Sequence, residues 1–120
     1  MKRRIIESGG IRIVVIESDA LVITDAQSAL DLLVTAQYED ECSRIAIPKE
    51  AIIEDFFKLS TGIAGEVLQK VSNYRKRLAI IGDFTSYSSK PLHDFIYECN
   101  NGNCVSFVKT EQEAIAWLAR

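Results

Sequence analysis

The stretch Leu78-Ala79-Ile80-Ile81 decides the fold. All of its side chains are apolar, without the alternation of a strand that has one solvent-exposed face. We therefore expect a central parallel strand covered on both faces. Such a strand needs a helical crossover before and after it. The sequence supplies both, since one helix is predicted from Ser60 or Thr61 to about Asn73 and Ser88-Ser89-Lys90-Pro91 opens another.

Further strands and helices surround this centre. Short apolar strands are predicted at Ile45-Ala46-Ile47, which Pro48 stops, and at residues 105–108. A helix capped by Thr24 and Gln27 precedes the first of these strands, and a helix capped by Thr110 follows the second.

The amino-terminal region is typical of a hairpin, because Gly9-Gly10 separates two β-branched runs. The complete order is ββαβαβαβα. It predicts a single α/β domain over residues 1–120, a two-layer sandwich. Its sheet would be mainly parallel, with about five strands, an antiparallel hairpin at one edge and four helices.

The composition fits one globular domain and excludes several partners. The 120 residues are 48% hydrophobic, and 14 basic against 17 acidic residues give a net charge of −3. This balance provides no electrostatic footprint for nucleic acid or for an anionic membrane. The longest apolar run is far shorter than the ~20 residues of a membrane span. Three cysteines and no apolar leader segment predict a reduced, cytoplasmic protein.

Candidate binding residues follow the two inner strands. In an open α/β sheet, ligands bind at the loops beyond the carboxyl ends of the strands. Two helix amino termini point to the same region and favour an anion, or a phosphate carried on Thr61. The alternative interpretation is that the hydroxyl groups only cap helices. The candidates are Ser60, Thr61, Gly62, Asp83, Ser88, Ser89 and Lys90.

Other chemistry has weaker signals. Thr61, Asp83 and His93 form a possible hydroxyl–carboxylate–imidazole set, without a nucleophile elbow. His93 and Cys99 are six residues apart on a predicted helix and face in different directions, so we expect no metal site. We also expect no cofactor, because Glu66 replaces the lysine of a phosphate loop and only two of the three glycines of a dinucleotide fingerprint are present. Lys70 and the basic residues at 75–77 are expected to complement the dipole at the end of the second helix.

The element order resembles that of STAS or SpoIIAA-like domains, the fold of anti-sigma-factor antagonists. The segment from Leu59 to Gly65 is similar to their Asp-Ser-Ser-Gly-Leu-Gly signature. In this alignment Thr61 takes the position of the phosphorylatable hydroxyl, Gly62 and Ile63 follow as in the family, and Leu59 replaces its aspartate. The resemblance implies a regulatory switch at Thr61.

Nearly the whole chain also resembles a bacterial family known as domain of unknown function 4180. This resemblance implies a small bacterial cytoplasmic protein and assigns no activity. The stretches that carry it are Ala29-Leu30-Asp31-Leu32-Leu33, Asp55-Phe56-Phe57-Lys58-Leu59, Thr61-Gly62-Ile63-Ala64-Gly65-Glu66, Ser72-Asn73-Tyr74-Arg75, Leu78-Ala79-Ile80-Ile81-Gly82-Asp83-Phe84 and Asp94-Phe95-Ile96-Tyr97-Glu98.

Three functions remain open. The first is a non-enzymatic regulatory or protein-interaction module that binds a protein partner or forms a homodimer. The second is a protein that binds a small or lipid-like molecule, for which a closed pocket lined by Phe56, Phe57, Tyr74 and Phe84 would be evidence. The third is a minor enzyme that uses Asp83 and the serine-rich loop, with Asp83 close to His93 and a hydroxyl group.

Overall fold

The computed structural model describes residues 1–120 and contains one mixed sheet with four α-helices. The five strands lie in the sheet in chain order, the first pair antiparallel and the other neighbours parallel. The predicted element order and mixed sheet are confirmed. The elements are β1 (Lys2–Ser8), β2 (Ile11–Glu17), α1 (Ala26–Asp40), β3 (Arg44–Pro48), α2 (Ile63–Asn73), β4 (Arg77–Ile81), α3 (Lys90–Asn100), β5 (Val105–Val108) and α4 (Glu111–Leu118).

The direction of the crossovers explains which face each helix covers. Strands β2 to β5 follow one another across the sheet in one direction, so right-handed crossovers place α1, α2 and α3 on the same face. The larger core lies there and includes Ile45 and Leu78. Helix α4 follows the last strand and covers the opposite face, where Trp117 packs with Ala46 and Ala79. The expected two-layer sandwich is wrong in this respect, since helices cover both faces.

Strand β4 has the buried character that its sequence indicates. Leu78, Ala79 and Ile80 are at most 1% exposed. Leu78 and Ile80 belong to the larger core, and Ala79 belongs to the smaller core under α4. The small alanine side chains of β3 and β4 leave room for α4 close to the sheet.

The hairpin between β1 and β2 also forms as predicted. Its two turn residues, Gly9 and Gly10, have φ values of 58° and 82°. Both are left-handed, as a two-residue type I′ turn requires, and glycine adopts this conformation without steric cost.

The start of α1 differs in detail from the predicted cap. Asp25, and not Thr24, is the N-cap, and its carboxylate accepts a hydrogen bond of 2.8 Å from the backbone N–H of Ser28. The Ser28 hydroxyl in turn accepts from the backbone N–H of Asp25 at 3.0 Å. The capping box is therefore shifted by one residue, because a carboxylate and a serine form the same reciprocal pair as a hydroxyl and an amide.

The segment between β3 and α2 departs most from expectation. It forms three 3-10 turns, at Lys49–Ala51, Glu54–Phe57 and Leu59–Thr61, and α2 begins only at Ile63. Of the basic residues expected at the end of α2, Lys70 lies in its last turn as predicted, whereas Arg77 is the first residue of β4. None of the four helices is both long and apolar enough to span a membrane.

Candidate functional site

A cleft lies at the carboxyl ends of β3 and β4. One wall is the segment of 3-10 turns that follows β3, and the other is the loop from residue 82 to the start of α3. The cleft has a volume of about 440 Å³ and is open to solvent. We call it the serine cleft. Its lining residues are Glu54, Phe57, Lys58, Leu59, Ser60, Tyr87, Ser88, Ser89 and Pro91.

Stacked aromatic rings hold the two walls together. The ring of Phe57 stacks on that of Tyr87, with centroids 5.4 Å apart, and Phe84 lies 5.9 Å from Phe57. The Tyr87 hydroxyl donates across the cleft to the carboxylate of Glu54, whose oxygens lie 2.9 and 3.0 Å away. These contacts join residues that are 33 positions apart in the chain. They fix the width of the serine cleft.

Lys49 lies against the aromatic rings that join the two walls. The ammonium of Lys49 lies 5.5 Å from the centroid of Phe57 and 5.2 Å from that of Tyr87, within cation–π range of both rings. The Tyr87 side chain, followed by the Glu54 and Glu50 carboxylates, raises the pKa of Lys49 above its ordinary value. Burial raises the pKa of the Tyr87 phenol, and Glu54 adds to the rise while Lys49 opposes it. At neutral pH this wall therefore presents a charged ammonium and a neutral phenol.

The structure brings three of the predicted site residues together. Ser60, Ser88 and Ser89 all line the serine cleft and are exposed. Ser89 caps α3, as predicted, because its hydroxyl accepts from the backbone N–H of Leu92 at 3.3 Å. Lys90, the first residue of α3, is exposed outside the cleft and pairs with Asp94 at 2.8 Å.

Thr61 and Gly62 lie beside the cleft at the start of α2. Both are exposed. The Thr61 hydroxyl is 2.8 Å from the carbonyl oxygens of both Asp55 and Lys58, to which it can donate. It is 3.4 Å from the N–H of Ile63, and no side chain caps α2 with good geometry. The interpretation that Thr61 simply caps this helix is therefore wrong, because its hydroxyl holds the preceding turns. Gly62, with φ of 79°, is the N-cap.

The hydroxyl–carboxylate–imidazole set is not assembled. Asp83 accepts from the N–H of Thr85 at 2.9 Å and from its hydroxyl at 2.6 Å. Both bonds lower the pKa of Asp83, and the bond from the hydroxyl has the larger effect. The imidazole of His93 contacts the carbonyl oxygen of Tyr87. Since Thr61, Asp83 and His93 each have different partners, the structure does not support their catalytic use as a triad.

The closed aromatic pocket that would favour binding of a small or lipid-like molecule does not form. Phe56 and Phe57 are buried in the core, Phe84 packs against that core, and Tyr74 lies half-exposed at the far end of α2. An apolar cavity of about 220 Å³ instead lies between α2, α3 and the turn before β5. No group of three or more His, Cys, Asp or Glu side chains is placed to hold a metal ion. The cavity is lined by Leu68, Phe95, Glu98, Cys99, Gly102, Asn103, Cys104 and Val105.

Sequence reasoning missed Glu54 and Tyr87 as members of the site. Tyr87 is the one aromatic residue inside the polar stretch Thr85-Ser86-Tyr87-Ser88-Ser89, and this isolation was the available signal. Glu54 had no signal of its own, because its role depends on a contact with a distant loop.

Comparison with known proteins supports the family resemblance that the sequence indicates. No curated protein and no solved structure matches the chain. A family model does match, over residues 8–118, and its description is "Domain of unknown function (DUF4180)". The chain belongs to the DUF4180 family.

Proposed function

We propose that the protein is a non-enzymatic regulatory module that binds a protein partner through the serine cleft. The observation that carries the proposal is the convergence of exposed hydroxyls from two loops on one open cleft, beside the uncapped start of α2. The hydroxyls of Ser60 and Ser88 form no hydrogen bond within the protein and are free to bind a partner. Protein-binding surfaces commonly combine an aromatic side chain with a polar rim. In the serine cleft, the half-buried Tyr87 lies among exposed serines.

The proposal includes Thr61 as a switch. A phosphate at this position would add about −1.5 to −2 charges next to the first N–H groups of α2, where an anion is stabilised. It would also remove the hydroxyl proton that Thr61 donates to the carbonyl oxygens of Asp55 and Lys58. The turn Leu59–Thr61 contributes to the serine cleft, so its rearrangement would change the surface that a partner contacts. The resemblance to anti-sigma-factor antagonists supports the same role.

The hydrogen bonds of the candidate catalytic residues favour this function over an enzyme. A nucleophile must have its hydroxyl within reach of a base. The Thr61 hydroxyl is directed to backbone carbonyl groups, and the Asp83 carboxylate is occupied by Thr85.

The experiment begins with the protein isolated from its native host. Intact mass and peptide mapping at several growth stages should show a phosphorylated fraction at Thr61 or Ser60. Cross-linking in the same cells should capture a stoichiometric partner on cleft residues. If no phosphate is found under any condition, the switch is wrong. If no partner is cross-linked to the cleft, the binding function is wrong.

Matched variants separate the switch from a general effect of charge. Thr61→Glu and Ser72→Glu place the same charge at opposite ends of α2, and both positions are exposed. We expect Thr61→Glu to change affinity for the captured partner at least about tenfold, which corresponds to about 1.4 kcal/mol. Ser72→Glu should leave the affinity unchanged. Equal effects of the two variants would contradict a specific role of Thr61.

Binding of a small apolar molecule is the second candidate, and the 220 Å³ cavity supports it. Ligand pockets usually occupy about 300–1,000 Å³, so this cavity favours a molecule of only a few heavy atoms. Leu68→Trp would fill the cavity. If a small ligand is the function, this variant should lose ligand co-purified from the native host, whereas Ser72→Trp on the same helix should retain it.

A further inference from the structure

Strand β1 is an open edge of the sheet. It pairs with β2 on one side only, through seven residue pairs, and no other strand lies next to it. An uncovered edge presents unpaired N–H and C=O groups that another strand can join. Ile5, in the middle of β1, is 48% exposed.

The hairpin geometry determines which groups of β1 face outward. In a two-residue hairpin the closing pair, here Ser8 and Ile11, is hydrogen-bonded, and such pairs alternate along the strands. Hence Ile6 and Arg4 bond to β2 through their backbone, while the N–H and C=O groups of Arg3, Ile5 and Glu7 point away from the sheet. These outward groups are available to a new strand.

We propose that β1 pairs antiparallel with β1 of a second copy of this chain, about a two-fold axis at Ile5. In this register Ile5 lies opposite Ile5 of the second copy, and Arg3 of each copy lies opposite Glu7 of the other. Every outward residue then meets an outward residue, and each such pair exchanges two backbone hydrogen bonds. The two sheets become one continuous sheet.

Charge complementarity supports this register over its neighbours. Opposite charges directly across a strand pair stabilise it, and like charges destabilise it. In the monomer, the Arg3 guanidinium pairs with the carboxylates of Glu39 and Asp40, the latter at 2.7 Å. The Glu7 carboxylate lies 3.7 Å from the Arg12 guanidinium. The register in which Arg3 faces Ile5 would instead place Arg4 directly opposite Arg4 of the second copy.

The pairing also explains why the apolar side chain of Ile5 is exposed in the monomer. In the two-fold arrangement each Ile5 side chain covers the other, and aliphatic pairs across strands are favourable. The interface is one strand wide, and small interfaces belong to weak, reversible assemblies. We therefore expect a dimer that dissociates on dilution, with a second copy as its own partner.

The test measures mass against concentration by sedimentation velocity. Between about 5 and 500 μM, the protein should shift from its monomer mass of 13.4 kDa to twice that value. Ile5→Pro removes an outward N–H that the monomer does not use, and proline is tolerated at a sheet edge. It should weaken dimerisation at least about tenfold. Leu21→Pro, at another exposed position outside the helices and strands, should not.

A cysteine substitution reports the register directly. In a Cys104→Ser background, Ile5→Cys should form a disulfide-linked dimer under mild oxidation, because directly opposite residues have Cα atoms about 5.5 Å apart. Leu21→Cys is the matched control and should remain monomeric. A protein that is monomeric at every concentration overturns the inference. So does a dimer that persists in Ile5→Pro and is not cross-linked in the Ile5→Cys variant, since it would use another surface.

Discussion

Gly82 lies directly beneath the side chain of Lys49. A Cβ atom at Gly82 would be 2.7 Å from the Cβ of Lys49 and 3.0 Å from its Cδ, closer than two carbon atoms can approach. The ammonium of Lys49 in turn lies over the rings of Phe57 and Tyr87 in the serine cleft. The missing side chain at Gly82 therefore allows Lys49 to reach the aromatic wall.

We expect Gly82→Ala to destabilise the protein and to displace Lys49. The Cβ of Lys49 is attached to the backbone and cannot rotate away, so the chain itself must shift. Overpacking of this kind costs about 1–3 kcal/mol, measured as the free energy of unfolding in urea. Gly65→Ala is the matched control, because Gly65 lies within α2 with no atom near its added Cβ. That change should stabilise the protein by about 0.5–1 kcal/mol. A Gly82→Ala variant as stable as the wild type would contradict the contact.

Acid sensitivity should depend on the cap of α1. The backbone N–H of Ser28, together with the Ser28 hydroxyl, lowers the pKa of Asp25 below its ordinary value of 3.8. The folded state therefore favours the carboxylate. Its contribution is fully present above pH 3.8 and is lost as the pH falls through the lower pKa of the folded protein.

Asp25→Asn removes this titration and keeps an oxygen that can accept the hydrogen bond. The difference in unfolding midpoint between wild type and variant should be larger at about pH 6 than at about pH 2. Asp19→Asn removes the same charge from the exposed loop before α1 and is the control for net charge. A constant difference between wild type and Asp25→Asn at both pH values would show that the carboxylate has no special role.

Local signals account for the parts of the fold that the sequence predicts. The apolar run of β4, the paired glycines of the hairpin and the caps at Ser89 and Thr110 each depend on residues only a few positions apart. Local signals do not predict on which face of the sheet α4 packs. The handedness rule applies to a helix between two parallel strands, and α4 has no strand after it.

The candidate site was predicted only in part for a similar reason. The start of α3 and its cap at Ser89 follow from local sequence. Helix α2 begins at Ile63 and not at the predicted Ser60 or Thr61. The pairing of Tyr87 with Glu54 joins two loops, and no periodic pattern relates them. The 3-10 turns before α2 are too short for a periodic pattern, and they redirect the Thr61 hydroxyl towards the backbone.

Arg77 should tolerate loss of its charge better than loss of its bulk. Its guanidinium lies 4.2 Å from the centroid of the Trp117 ring. Two of its nitrogens, Nε and Nη2, are buried without a hydrogen-bond partner. Burial, followed by repulsion from Arg44 and Arg120, lowers its pKa. The third nitrogen, Nη1, donates to the carbonyl oxygen of Arg120 at 2.8 Å. The guanidinium is therefore only partly hydrogen-bonded, and its contact with the Trp117 ring is the main stabilising part.

Substitutions at this position separate the two contributions. Arg77→Met keeps a long side chain over Trp117 and should change the free energy of unfolding by less than about 1 kcal/mol. Arg77→Ala uncovers the indole and should cost about 2 kcal/mol or more. The chain has one tryptophan, so its fluorescence follows this region during urea unfolding. If Arg77→Met is as destabilised as Arg77→Ala, the charge and not the bulk is what the fold requires.

Alkylation should distinguish the two cysteines of the apolar cavity. Burial, and next the Glu98 carboxylate, raises the pKa of Cys99 from 9.0 to about 11. Near pH 8 this shift leaves about 100-fold less of the reactive thiolate than an ordinary thiol has.

Cys42 is also buried, whereas Cys104 is partly exposed. With iodoacetamide followed by intact mass, Cys99→Ser should therefore gain one label quickly, and Cys104→Ser should be labelled at least about 100-fold more slowly. The slow rate should rise about tenfold per pH unit up to about pH 10, as the Cys99 thiol ionises. Labelling of the two variants at similar rates would mean that the Cys99 thiol is accessible and ionises normally, contrary to its burial within the larger core.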